Sequence, residues 1–78
     1  MSKEENLSFA VLFGEFIREG RVKQKLSQAD LAKKLGMTQS YLSRIEQGAR
    51  SIDFELAICI CSILNLDLRE FLKETSNK

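Results

Sequence analysis

The stretch LSQADLAKKLGMTQSYLSRIEQGAR, Leu26 to Arg50, holds two short helical patterns parted by one glycine. In its first half, Ser27 and Asp30 have capping-box spacing, with Asp in place of the usual Glu, and Asp30 lies in the favourable first turn. Leu31 and Leu35 face inward, and Gly36 is placed to end the helix in a left-handed conformation. In the second half, Thr38 caps and Gly48 ends a helix that is mostly polar. Leu42 and Ile45 are its core anchors, with Met37 just before the first turn. At about 100° per residue, Gln39, Ser40, Ser43, Arg44 and Gln47 form one stripe on the opposite side. These are uncharged or cationic hydrogen-bonders, not the Glu/Lys mixture of an ordinary solvated helix.

Two helices, about Gln28–Leu35 and Gln39–Gln47, joined by a tight turn make a helix-turn-helix. Small Ala32 falls where the two crossing helices must approach closely. Working outward, Ser8 caps a first helix predicted to run to about Lys25, with Phe9, Phe13, Phe16, Ile17 and Gly20 along one side. Gly20 costs about 1 kcal/mol there relative to alanine, which marks a close helix contact. Asp53 caps a fourth helix with Leu56, Ile60, Ile63 and Leu64 at helical spacing. Asp67 and Glu70 repeat the capping-box spacing and start a short fifth helix with Leu68, Phe71 and Leu72. The tail TSNK is expected to fray. No run alternates with period two, so the fold class is all-α, a compact five-helix bundle.

A chain of 78 residues, 44% hydrophobic and 29% charged, is expected to form one soluble domain, residues 1–78, with its core at about 8–73 and the motif at about 28–47. Apolar runs are too short for a membrane span, and the polar, acidic N-terminus resembles no signal peptide, so a cytoplasmic protein is expected. Cys59 and Cys61 diverge on a helix, and there is no histidine; no metal or cofactor is expected, and the thiols are read as reduced. The net charge of +1 hides a partition. From Arg18 to Arg50, eight basic residues face Glu19, Asp30 and Glu46, while both ends are net acidic.

The quoted stretch resembles the Xre-type family of lambdoid phage repressors, Cro proteins and restriction–modification controllers, over about Phe13 to Leu72. The resemblance implies a lambda repressor-like DNA-binding bundle whose third helix enters the major groove of double-stranded DNA. It implies that Gln28 bonds a phosphate and braces the reading helix, and that Gln39, Ser40 and Arg44 read bases. Bidentate geometry suits Gln39 to adenine and Arg44 to guanine. Thr38, Ser43, Gln47 and Arg50 are placed for phosphate or accessory contacts, and Tyr41 is shared between core and DNA backbone. Arg21 and Glu46 match a partly buried structural ion pair that orients the reading helix. Departures from the pattern are Gly20, where a large apolar residue is usual, Ile52, where proline is common, and added bulk at Phe9, Leu12 and Phe16.

The resulting expectation is a sequence-specific transcriptional regulator, repressor-like and homodimeric, reading a palindromic operator, with no effector domain after Lys78. Leu66, Leu68, Phe71 and Leu72 are more apolar than so short a helix can easily bury, so they are assigned to the dimer interface, extended by Ile58 and Cys59. The aromatic bulk of the first helix offers the other use for them, as a cover over the fifth. An antitoxin or protein-interaction module with a protein partner is the alternative function on the same fold. An enzyme is not expected, since histidine, a glycine-rich phosphate loop and a nucleophile–base pairing are all lacking.

Overall fold

The structure, a computed structural model, describes residues 8–76. The expectations for the acidic N-terminus and for Asn77 and Lys78 lie outside the described residues. Five helices follow in order: α1 (Phe9–Lys23), α2 (Gln28–Leu35), α3 (Gln39–Glu46), α4 (Phe54–Leu64) and α5 (Leu68–Ser76). Among the described residues there is no strand, and no helix is long and apolar enough to cross a membrane.

The caps fall where residue chemistry places them. Ser8, Ser27, Thr38 and Asp53 each accept a backbone N–H three residues on, and Ser27 with Asp30 closes a full capping box. Gly36 ends α2 at φ 71°, and Asn65 takes the same left-handed role after α4 at φ 58°. Two ends differ from expectation. α1 stops at Lys23, because Gln24 turns the chain toward α2 while its side-chain amide donates to the Leu64 carbonyl at the end of α4. α5 carries through Thr75 and Ser76 rather than fraying, since each added residue gains a backbone bond once the helix is nucleated. The predicted Asp67–Glu70 box is replaced by a tighter turn, in which the Asp67 carboxylate accepts the Arg69 backbone N–H at 2.9 Å.

The core draws Phe13 and Ile17 from α1, Leu31 and Ala32 from α2, Leu42 and Ile45 from α3, and Ala57, Ile60, Cys61 and Leu64 from α4. Ile63, expected inside, is exposed, and α4 instead buries 57, 60, 61 and 64. That helix is apolar on most of its circumference, so hydrophobic spacing alone does not choose its inner face. The small Ala57 and Cys61 settle it by allowing close packing. Burial, with Asp67 nearby, pushes the Cys61 thiol up; Cys59 is exposed, and both are free.

The assignment of α5 to a dimer interface is corrected for Phe71. Its ring is 2% exposed and lies against Phe9, Phe13 and Phe16, with centroids 5.2, 5.3 and 5.1 Å away. Those aromatics bury Phe71 within its own chain. Leu66 packs into the space left by Gly20, and Leu68 is half-buried against the core, while Leu72 is exposed. Gly20 therefore marks a close contact, as expected, though with a side chain of the α4–α5 connection.

Candidate functional site

The polar stripe of α3 is held outward by what lies beneath it. Leu42 and Ile45 are fully buried, which leaves Gln39, Ser40 and Arg44 on the surface and Ser43 at its edge. Gln28, Gln39, Ser40, Ser43, Arg44 and Gln47 line one shallow groove, so six of the sequence-predicted residues converge. Gln47 donates its amide to the Ser43 hydroxyl at 3.1 Å, tying two of them together. Thr38 sits at the N-terminus of α3, where its hydroxyl accepts the Tyr41 N–H at 3.1 Å.

Three helices meet at one carboxylate behind this face. Arg21 of α1 grips Glu46 of α3 with two bonds, Nε to Oε2 at 2.7 Å and Nη2 to Oε1 at 3.1 Å. Its third nitrogen donates to the Leu26 carbonyl at 2.8 Å. Gln28 of α2 then donates to Glu46 Oε1 at 3.0 Å. The Glu46 side chain is 2% exposed and that of Arg21 11%, so the pair is inside the protein and the fork geometry is bidentate. Gln28 thus braces the α3 end through Glu46 and has a second amide N–H to offer outward.

Tyr41 and Arg50 stand apart from the groove. Tyr41 is half-buried against the core, and the Arg50 guanidinium lies over its ring, 4.9 Å from the centroid. Sequence reading also passed over Gly14. A Cβ there would meet the Ile45 and Glu46 carbonyl oxygens at 2.5 Å, which makes it the point where α1 touches the end of α3. Its place beside Phe13 and one turn before Ile17, on the core face of α1, was the available signal.

A family model described as Helix-turn-helix matches residues 17–71. The chain belongs to the Xre-type helix-turn-helix family. It is 36% identical over 67 residues to the uncharacterized HTH-type transcriptional regulator YqaE of Bacillus subtilis (strain 168), covering 86% of this chain and 58% of the relative. It is 38% identical over 55 residues to the ImmF control region 10 kDa protein of Bacillus phage phi105, covering 70% and 61%. The chain spans about three fifths of the length of these two relatives. Among solved structures, the restriction–modification controller protein C.AhdI from Aeromonas hydrophila is similar with a TM-score of 0.72 and 32% identity, over 80% of this chain and 94% of that one. The clp gene regulator ClgR from Corynebacterium glutamicum matches at a TM-score of 0.78 over 87% of this chain and 72% of that one; at 24% identity this shows a common fold. The family match begins after Gly14 and contains the groove residues of α2 and α3 in full.

Proposed function

We propose that this chain is a DNA-binding transcriptional regulator that reads duplex sequence with α3 in the major groove. The observation that carries this reading is the groove-lining set itself: amide, hydroxyl and guanidinium groups on one exposed face, with no carboxylate among them. Glu46, at the end of α3, is neutralised by Arg21 and turned inward, so it repels phosphates little, and exposed Glu15 in the adjoining groove has Arg18 beside it. Gln39, Ser40 and Arg44 are the base readers, with Gln28, Thr38, Ser43, Gln47 and Arg50 at or near phosphates. The relatives described as a transcriptional regulator, a control-region protein and a restriction–modification controller point the same way. Selection of bound duplexes from a random pool tests it: a recovered consensus sustains the reading, and recovery no better than background ends it.

Two variants separate base reading from charge. Arg44→Ala costs about 1–3 kcal/mol on the selected site and relaxes preference at one base pair. Arg50→Ala weakens binding on all sequences and reduces the salt slope by roughly 0.9. A uniform loss in Arg44→Ala, measured by titration on single-base variants, would demote Arg44 to a phosphate contact.

The regulator acts as a homodimer on a palindrome, in a repressor-like role. One reading helix of eight residues contacts too few base pairs for a unique site, and a twofold pair of half-sites about 34 Å apart doubles the information. With Phe71 spent inside the monomer, the interface falls on apolar side chains that remain at the surface of α4 and α5. Ile58 is 46% exposed and Phe54, one turn earlier on α4, 68%; Leu72 on α5 is 43% exposed. Ile58→Lys is expected to leave the helical content and melting temperature nearly unchanged, while palindrome affinity falls at least tenfold and sedimentation reports a monomer. A wild-type protein that sediments as a monomer at tens of micromolar, free and on its site, removes the dimer.

A further inference from the structure

We infer that Tyr41 is a positioning residue, an aromatic platform that presets the Arg50 guanidinium for a backbone phosphate beyond the end of α3. The inference rests on the DNA-binding reading above and gives Tyr41 a role other than touching DNA.

The chain leaving α3 is pinned before it reaches Arg50. Gly48 donates to the Ile45 carbonyl at 3.0 Å, and Ala49 reaches back to the Arg44 carbonyl at 2.9 Å. Gly48 has φ 75°, and a Cβ there would meet Val11 at 2.6 Å, so the turn sits tight against α1. The backbone at Arg50 is thereby directed past the C-terminal turn of α3. Its side chain is then laid over the Tyr41 ring, within the roughly 6 Å range in which a cation is attracted to an aromatic face. The ring cannot follow a moving guanidinium, because Tyr41 is packed against the core.

The contact sets the guanidinium over the ring face and takes up none of its N–H groups in a hydrogen bond. Among the described residues the Arg50 side chain makes no hydrogen bond and no ion pair, so its five N–H donors are uncommitted while the ring contact biases its position. The contrast with Arg21, whose donors are spent on Glu46 and Leu26, is direct. A long, flexible arginine normally loses side-chain freedom when it binds, and a platform removes part of that loss beforehand. The Tyr41 hydroxyl has no hydrogen-bond partner among the described residues, and the contact to Arg50 is made by the ring.

Two measurements test this. In the free protein, NMR is expected to show Arg50 side-chain protons shifted upfield by the ring current, in wild type and Tyr41→Phe alike. The shift should vanish in Tyr41→Leu. On the selected duplex, Tyr41→Leu should weaken binding about 2- to 5-fold, the range that an exposed cation–π contact represents. Tyr41→Phe should recover most of that loss, and Tyr41→Leu should add nothing further in an Arg50→Ala background. If Tyr41→Leu does not fold, Tyr41→Met, also without a ring, takes its place. Random-coil Arg50 shifts in the wild type overturn the platform without any reference to DNA. So do additive effects of the two substitutions, or a Tyr41→Phe loss equal to that of Tyr41→Leu, which would make the hydroxyl a DNA contact. A wild type that binds no duplex, with the ring-current shift present, overturns the DNA reading and leaves the stack as local packing.

Discussion

Glu46→Gln is expected to lower the melting temperature by roughly 10–20 °C and to abolish tight DNA binding in the same variant. The carboxylate is bonded by Arg21 of α1 and Gln28 of α2, and it belongs to the last residue of the reading helix. Breaking a buried pair costs about 3–5 kcal/mol, mostly because the remaining charge stays desolvated, and the Arg21 side chain is only 11% exposed. An amide of the same shape retains one acceptor, which places the loss near the lower figure. A domain of this size has a total stability of only about 5 kcal/mol, so the loss leaves it barely folded at 37 °C. Two effects on DNA binding oppose each other. Removing a negative charge near phosphates favours binding, but by a few tenths of a kcal/mol at most, because Arg21 already neutralises Glu46. Loss of the brace on α3 is the larger effect and decides the sign. Thermal unfolding by circular dichroism, beside titration of the selected duplex, checks both. An unchanged melting temperature with stronger binding would show Glu46 to be no more than a repulsive charge.

The parts of the site that were legible in the sequence are those set by local rules. Caps at Ser27, Thr38 and Asp53, the left-handed Gly36 and the polar stripe of α3 each follow from residues within one or two turns. The Arg21–Glu46 pair, 25 residues apart in sequence, came from the family resemblance and not from spacing. What escaped was decided by long-range packing. Ile63 and Phe71 are both apolar, yet Ile63 is exposed, while Phe71 is buried under Phe9, Phe13 and Phe16. That is the cover which the aromatic bulk of the first helix offers as the other use for α5. No local pattern ranks those two residues. The Tyr41–Arg50 stack escaped for the same reason: it depends on where the turn at Gly48 aims the chain. Gly14 is the sharpest instance, since its neighbours in sequence say only that it faces the core.

Gly14→Ala should destabilise the fold by about 1–2 kcal/mol and weaken DNA binding more than tenfold, whereas Gly20→Ala should change either by little. Both glycines lie inside α1, and alanine improves helix propensity at each by about 1 kcal/mol. The steric terms differ in kind. At Gly20 the new methyl meets Leu66 side-chain atoms at 2.7 to 3.2 Å, and a leucine tip can rotate away at small cost. At Gly14 it meets two backbone carbonyl oxygens at 2.5 Å, with the Glu46 carbonyl carbon at 2.9 Å. No rotamer relieves that, so α1 and α3 must separate by roughly 0.5–1 Å before ordinary contact returns. Overpacking of this sort costs about 1–3 kcal/mol, and at a rigid backbone contact it exceeds the propensity gain. The separation falls on Ile45 and Glu46, so it strains the Arg21 fork and tilts the polar stripe away from its supports. Binding therefore suffers beyond the loss of stability, and measuring it below the melting transition isolates that part. If Gly14→Ala binds as tightly as wild type under those conditions, the α1–α3 contact sets stability alone and the orientation of the reading helix is fixed by α2.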